Sequence, residues 1–175
     1  MLHDMEQRMI QITVRQLKDY LDNDGIKVAG LARLSYLNPQ RLSKALCGTP
    51  DSKSGAPTTL SEQSISLLED GLHQLARELA DIFIIYDTSS DKEKANGAHY
   101  SLGCVQQIKQ KLKPYIMVQP FVSATLGWSD SKYQNVMSIK KSVTYGNISK
   151  VDCDSLNLRL AEVAARLDRI CLTKG

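Results

Sequence analysis

Two stretches of this chain, 91 residues apart, read as versions of one another. That periodicity limits the fold more than any single motif does. At this shift Val14 meets Val105, Gln16 meets Gln107, Lys18 meets Lys109 and Leu21 meets Leu112. Kept without gaps, it sets Leu31 on Val122, Leu37 on Trp128, Asn38 on Ser129, Leu42 on Tyr133 and Leu46 on Met137. Further on, Gly55 meets Gly146, Leu67 meets Leu158 and Leu72 meets Val163. Identities are few, but apolar class, cap type and one glycine agree over about seventy residues. The expected architecture is a duplication: a first domain at 1–86, a linker at 87–100 and a second domain at 101–175.

The local pattern is helical. Val14, Leu17 and Leu21 mark one helix face, with Thr13 as N-cap and Gly25 beyond the end. Val28 to Leu34 reads as a short second helix. Asn38-Pro39 starts a third, because Asn caps and Pro is tolerated at the first helical position. That helix runs to about Leu46 and stops at Gly48. "TPDSKSGAPTT" follows as a loop. A long helix begins near Ser61, with Ile65, Leu68, Leu72, Leu75, Leu79, Ile82 and Tyr86 at alternating steps of three and four. Such a seam packs lengthwise on another helix. A final helix, Asp152 to about Leu172, carries a matching stripe of Leu156, Leu160, Val163, Leu167 and Ile170. The expected class is all-α, with a small β-hairpin near 143–149 suggested by "VTYGNIS". The long helices 61–86 and 152–172 offer a route to a homodimer.

Charge is distributed unevenly. Residues 1–90 carry a net −3 and residues 91–175 a net +6. From Lys27 to Lys53 there are five basic residues and one acidic one, Asp51; from Leu60 to Asp87 there are one basic and six acidic. This separation can give one face a positive potential.

"LARLSYLNPQRLSKALCG", Leu31 to Gly48, lies in the basic stretch. Leu31, Ala32, Leu37, Leu42 and Leu46 are spaced to hold two short helices together across a turn. The stretch resembles the helix-turn-helix of phage-repressor-like (Xre/Cro-type) regulators, commonly read as "LAxxLGVSxxxLSxxLxG". Leu31-Ala32, Leu37-Asn38, Leu42-Ser43, Leu46 and Gly48 match without a gap. Two residues depart from it: the family has Gly where this chain has Tyr36, and Leu where it has Ser35. A left-handed backbone at Tyr36 would be strained. The second copy, "VSATLGWSDSKYQNVM" at Val122–Met137, keeps Leu126-Gly127 in the turn but places Tyr133 at a core Leu position.

The resemblance implies that the second helix of the motif enters the major groove of duplex DNA. In the first copy Asn38 caps that helix, and Gln40, Arg41 and Lys44 are its readers: Gln pairs bidentately with adenine, Arg or Lys with guanine. Ser43 suits a phosphate or packing role. In the second copy the counterparts are Ser129, Ser131, Lys132 and Asn135, with Asp130 opposing phosphate. Lys53, and then Lys140, Lys141 and Lys150, are candidates for backbone contact. Taken alone, Gln40, Arg41 and Lys44 are an ordinary solvated helix face.

The function expected is sequence-specific binding of double-stranded DNA in transcriptional regulation of a bacterium or mobile element. Two heads in one chain would form a pseudo-dimer reading an asymmetric site. Heads on one side of DNA sit about 34 Å apart per helical turn, and a fourteen-residue linker reaches at most about 45 Å. The alternative is a helical protein-interaction adaptor. No phosphate loop, metal cluster or nucleophile motif stands out, so neither an enzyme nor a cofactor is expected. The histidines, His3, His73 and His99, lie far apart. Cys47, Cys104, Cys153 and Cys171 lack metal-clip spacing. "MLHDMEQRMI" is too polar for a signal peptide or anchor, and "IFIIY" is too short for a bilayer span. These features suggest a cytoplasmic protein.

Overall fold

The computed structural model describes residues 8–89, 92–93, 99–137 and 147–174. It is mostly helical. β1 (Ile10–Thr13) leads into α1 (Val14–Asn23), α2 (Val28–Leu34), α3 (Pro39–Cys47) and the 19-residue α4 (Glu62–Ala80). β2 (Lys92–Glu93) and β3 (His99–Tyr100) follow, then α5 (Leu102–Leu112), α6 (Val118–Leu126), α7 (Asp130–Met137), the 19-residue α8 (Lys150–Asp168) and β4 (Ile170–Thr173). No described helix is long and apolar enough to cross a membrane.

The helix ends follow from their caps. Thr13 and Gln16 form a reciprocal capping box at α1: the Gln16 N–H donates to Thr13 Oγ1 (3.2 Å) and the Thr13 N–H to Gln16 Oε1 (2.9 Å). Asn38 Oδ1 accepts from the Arg41 N–H at 3.1 Å, with Pro39 opening α3. Gly48, at φ +64°, closes α3, and the Thr49 N–H reaches back to Lys44 O at 3.0 Å. Ser61 caps α4 by accepting the Ser64 N–H.

The chain divides into two compact units, Met1–Ala80 with Val163–Gly175, and Asp81–Glu162. This differs from the expected division at 86 and 101. Each unit includes a short segment that follows a long helix, and the division itself falls inside α8.

In the first unit that segment is β4, which pairs in parallel with β1, Ile10 opposite Ile170 and Thr13 opposite Thr173. α4 grips its backbone from the side. Glu69 accepts the Leu172 N–H at 2.8 Å, and His73 Nε2 lies 3.1 Å from Ile170 O, so this ring nitrogen carries the hydrogen. Leu17, Leu21, Leu31, Leu42, Leu68, Leu72, Leu75, Leu79, Leu167 and Ile170 fill the core. Beside it the fully buried Asp24 carboxylate, at the end of α1, accepts from Arg166 Nη1 with both oxygens, at 3.0 and 2.8 Å.

In the second unit the segment is Ile82–Tyr86. Asn157 of α8 holds Ile84 at both backbone atoms: Ile84 N–H to Oδ1 at 2.7 Å and Nδ2 to Ile84 O at 2.9 Å. Gln107 of α5 does the same for Ile85, at 2.8 Å each way. Lys111 Nζ donates to Phe83 O at 2.7 Å. Cys104, Val105, Ile108, Leu112, Val122, Leu156 and Leu160 form the core.

Two expectations are thereby corrected. The class is not purely α: β1 and β4 form a parallel pair, and β2 and β3 an antiparallel pair inside the expected linker. The long helices stop at Ala80 and Asp168, not near Tyr86 and Leu172. A step of four residues fits period two as well as period 3.6, so the seam could not separate helix from strand beyond Leu79. Of the two apolar stripes, Leu68, Leu72, Leu75, Leu79, Leu156, Leu160, Val163 and Leu167 are all buried. The hairpin expected near 143–149 falls largely on residues 138–146, outside the described ones.

Arg166→Ala removes both guanidinium hydrogen bonds from the buried Asp24 carboxylate, at a cost of about 2 kcal/mol. Urea denaturation monitored by circular dichroism is expected to show that loss, whereas Lys18→Ala, in an exposed pair with Asp22 on α1, shifts the midpoint little.

Candidate nucleic-acid interface

α2, a turn and α3 form the helix pair that the sequence suggests. Leu31, Ala32, Leu42, Ala45 and Leu46 are buried between them and their neighbours, and Leu37 is half-buried. Tyr36 has φ +56°, the sole non-glycine residue with positive φ among those described. Its side chain is 88% exposed, so no packing compensates for that backbone. Ser35 also has a reason. A Cβ on Gly71 of α4 would come within 2.8 Å of Ser35 Cβ and 3.0 Å of its Cα. α2 and α4 thus cross so closely that glycine and a small residue face one another, where a leucine would not fit.

On α3 the apolar face is consumed by Leu42, Ala45 and Leu46, which leaves Gln40, Arg41, Ser43 and Lys44 exposed together with the cap residue Asn38. Arg41 and Lys44 have no ion-pair partner among the described residues.

The segment after α3 is more ordered than a loop. Thr49 O accepts from both the Thr58 N–H (2.9 Å) and the Thr58 hydroxyl (2.6 Å). Pro50 and Pro57 form an antiparallel bridge, and the Asp51 N–H donates to Ala56 O at 2.7 Å. Asp51 Oδ1 accepts from the N–H groups of Lys53 (2.7 Å) and Ser54 (3.2 Å). These hydrogen bonds hold the Asp51 carboxyl below its usual range, and the Lys44 and Arg41 charges add to the effect. The result is a ten-residue hairpin with Lys53 at its tip. Sequence reasoning missed it and sought a hairpin at 143–149 instead. The signal was present in "TPDSKSGAPT": two Thr-Pro corners in mirror order around an Asp-initiated turn, and Gly55 at φ +68°.

The second unit presents a different surface. Gly127 takes the left-handed turn at φ +66°, and Ser129 Oγ caps α7 by accepting the Lys132 N–H at 3.1 Å. Trp128 and Tyr133 are buried, as core filling requires. Ser131 and Asp130 are exposed, Asn135 is half-buried, and Lys132 Nζ lies 5.1 Å from the centroid of the Trp128 ring. Lys140 and Lys141 are outside the described residues. Lys150 is 3.6 Å from Asp154 and is already paired. Among the described residues of the two motif helices, the unpaired cations therefore lie on α3.

Among the described residues no group of three or more His, Cys, Asp or Glu could hold a metal ion. His73 is engaged with Ile170 O. The Cys153 thiol is pushed up to about 12 by burial first and by neighbouring Cys104 next, so it stays protonated at neutral pH. No family model, curated protein or solved structure matches this chain.

Tyr36→Gly relieves about 1–2 kcal/mol of left-handed strain and loses about 0.5–1 kcal/mol to the looser unfolded chain. The expected net gain is about 2 °C in Tm, read by differential scanning calorimetry. In a separate experiment at pH 7, iodoacetamide is expected to modify exposed Cys47 well before buried Cys104 and Cys153, with mass spectrometry of digests identifying the order.

Proposed function

We propose that the chain is a sequence-specific duplex-DNA-binding protein, acting in transcriptional regulation, built from two tandem helix-turn-helix domains in the manner of a single-chain pseudo-dimer. The observation that carries this reading is the outer face of α3. Gln40, Arg41 and Lys44 are exposed together on a helix whose inner face is buried. Gln and Arg have the donor geometry for adenine and guanine edges, and Lys44 supplies charge toward phosphate.

The tandem arrangement is supported by coincidences of position. The left-handed turn residues Tyr36 and Gly127, and the caps Asn38 and Ser129, each lie 91 residues apart. Beyond the hairpin an offset of 88 fits better than the ungapped 91 that set Leu67 on Leu158 and Leu72 on Val163: at 88 Glu69 meets Asn157 and Ile84 meets Leu172. Glu69 accepts the Leu172 N–H and Asn157 accepts the Ile84 N–H. A side chain that grips the matching backbone N–H in both halves favours duplication over chance resemblance. Divergence has left the heads unequal: the first keeps free cations on its reading helix, while the second offers Lys132 against Trp128.

A second reading, a protein-interaction module, is favoured by Phe83, Ile85 and Tyr86, which are 59%, 56% and 44% exposed on one short segment.

The two readings separate in one experiment. Native protein is expected to bind random duplex in the micromolar range, with affinity falling steeply as salt rises. The Arg41→Ala/Lys44→Ala double variant should bind about tenfold more weakly or worse. Fluorescence anisotropy of a labelled duplex measures both. No retention of duplex by the native protein at low salt would sink the DNA reading. Selection from random oligonucleotides would then give the site, expected to be asymmetric.

A further inference from the structure

The hairpin after α3 faces an open trough of about 460 Å3, with Arg41 and Lys44 on the helix side and Ser52, Ser54 and Thr59 on the hairpin side. We propose that this trough seats one phosphodiester of the DNA backbone, and that Asp51, at its edge, is a built-in opposing charge that keeps binding to arbitrary sequence weak. This seat rests on the DNA reading; it adds which part of that surface holds backbone and how indiscriminate binding is restrained.

Three observations support it. The lining is dominated by cations and hydroxyls, the donor set that phosphate oxygens accept from. The hairpin wall is pre-formed: its neck carries the paired backbone of Thr49 and Thr58 and the facing prolines Pro50 and Pro57, whose φ is fixed. A rigid wall loses little freedom when a ligand enters. Third, Asp51 is the sole carboxylate in the lining. It neutralises neither cation by direct pairing, because no ion pair within 4.0 Å joins it to Arg41 or Lys44 among the described residues. One of its oxygens is spent on the Lys53 and Ser54 N–H groups. Its charge remains in the trough, where it repels a phosphate and weakens the hold of Lys44.

That arrangement divides the labour on α3. Gln40 and Arg41 near the cap are placed for base edges, while Lys44, one turn further along, holds the strand. Backbone affinity alone would bind any duplex. A carboxylate set against it lowers that baseline, so that correct base contacts make the difference between bound and free.

The test uses the full chain and a labelled 20-base-pair random duplex, titrated by anisotropy between 50 and 200 mM salt. Lys44→Ala is expected to weaken binding and lower the slope of log affinity against log salt by about 0.9, the signature of one phosphate no longer neutralised by the protein. Asp51→Asn keeps an acceptor oxygen for the turn and is expected to tighten random-duplex binding about fivefold. The Lys44→Ala/Asp51→Asn double variant should fall short of additivity, because both residues act on one bound group. Unchanged thermal midpoints confirm that each variant is folded. If Arg41→Ala weakens binding while Lys44→Ala and Asp51→Asn leave affinity and slope unchanged, the seat is wrong and the DNA reading stands. Strict additivity of the pair would also overturn the seat, leaving a diffuse field. Equal affinity for a 20-base-pair RNA duplex, with the same response to Lys44→Ala, overturns the assignment to DNA. Absence of any duplex binding by native protein at 50 mM salt overturns the DNA reading itself.

Discussion

The strand pair β1–β4 is the constraint on which the first unit depends. It joins residues 160 positions apart, Ile10 with Ile170, and ties the start of the described chain to its end. Around it three polar contacts converge: Glu69 on Leu172, His73 on Ile170 and Arg166 on Asp24. A two-stranded sheet is marginal by itself. This one is held because one edge is braced by α4 and because Ile12 and Ile170 enter the helical core. Without β4, β1 would keep only α1 as a neighbour in sequence, and α4 would present Glu69 and His73 to nothing.

The surface of α3 is a by-product of the same packing. A nine-residue helix that buries Leu42, Ala45 and Leu46 must turn the remaining positions outward. The close approach of α2 to α4 at Ser35 and Gly71 sets how α2, and with it the turn and α3, lies on the core. Glycine in a helix interior costs about 1 kcal/mol relative to alanine. Its presence in the middle of α4 is explained by that crossing, so one apparent weakness in α4 and one departure from the motif in α2 have a common cause.

Most of the first unit was legible. The capping residues Thr13, Asn38 and Ser61 and the stop at Gly48 are all written in local chemistry, where side chain and backbone lie within a few residues of one another, whereas the left-handed turn at Tyr36 runs against it and was suggested only by the resemblance. What sequence could not reveal depends on distance. The parallel pairing of β1 with β4, the capture of Ile84 and Ile85 by Asn157 and Gln107, and the Asp24–Arg166 pair join residues 22 to 160 positions apart. Nothing in the neighbourhood of Asn157 says that it will grip a strand. Beyond Leu79 the step of four from Ile82 to Tyr86 misled because it satisfies two periods at once. At the candidate interface the exposed face of α3 was legible, but the hairpin beside it was concealed by a composition of Pro, Gly, Ser and Thr that ordinary loops share.

The position of β4 in the chain also sets a timetable. A ribosome makes residues 1–80 long before Ile170–Thr173 emerge, at about 5–20 residues per second. Throughout that interval α1 to α4 lack the strand that completes their core, and β1 keeps an unpaired edge exposed. The second unit has no such delay, since Asp81–Glu162 is contiguous. The first unit is therefore completed last, and α3 gains its final support only once Ile170–Thr173 have been made.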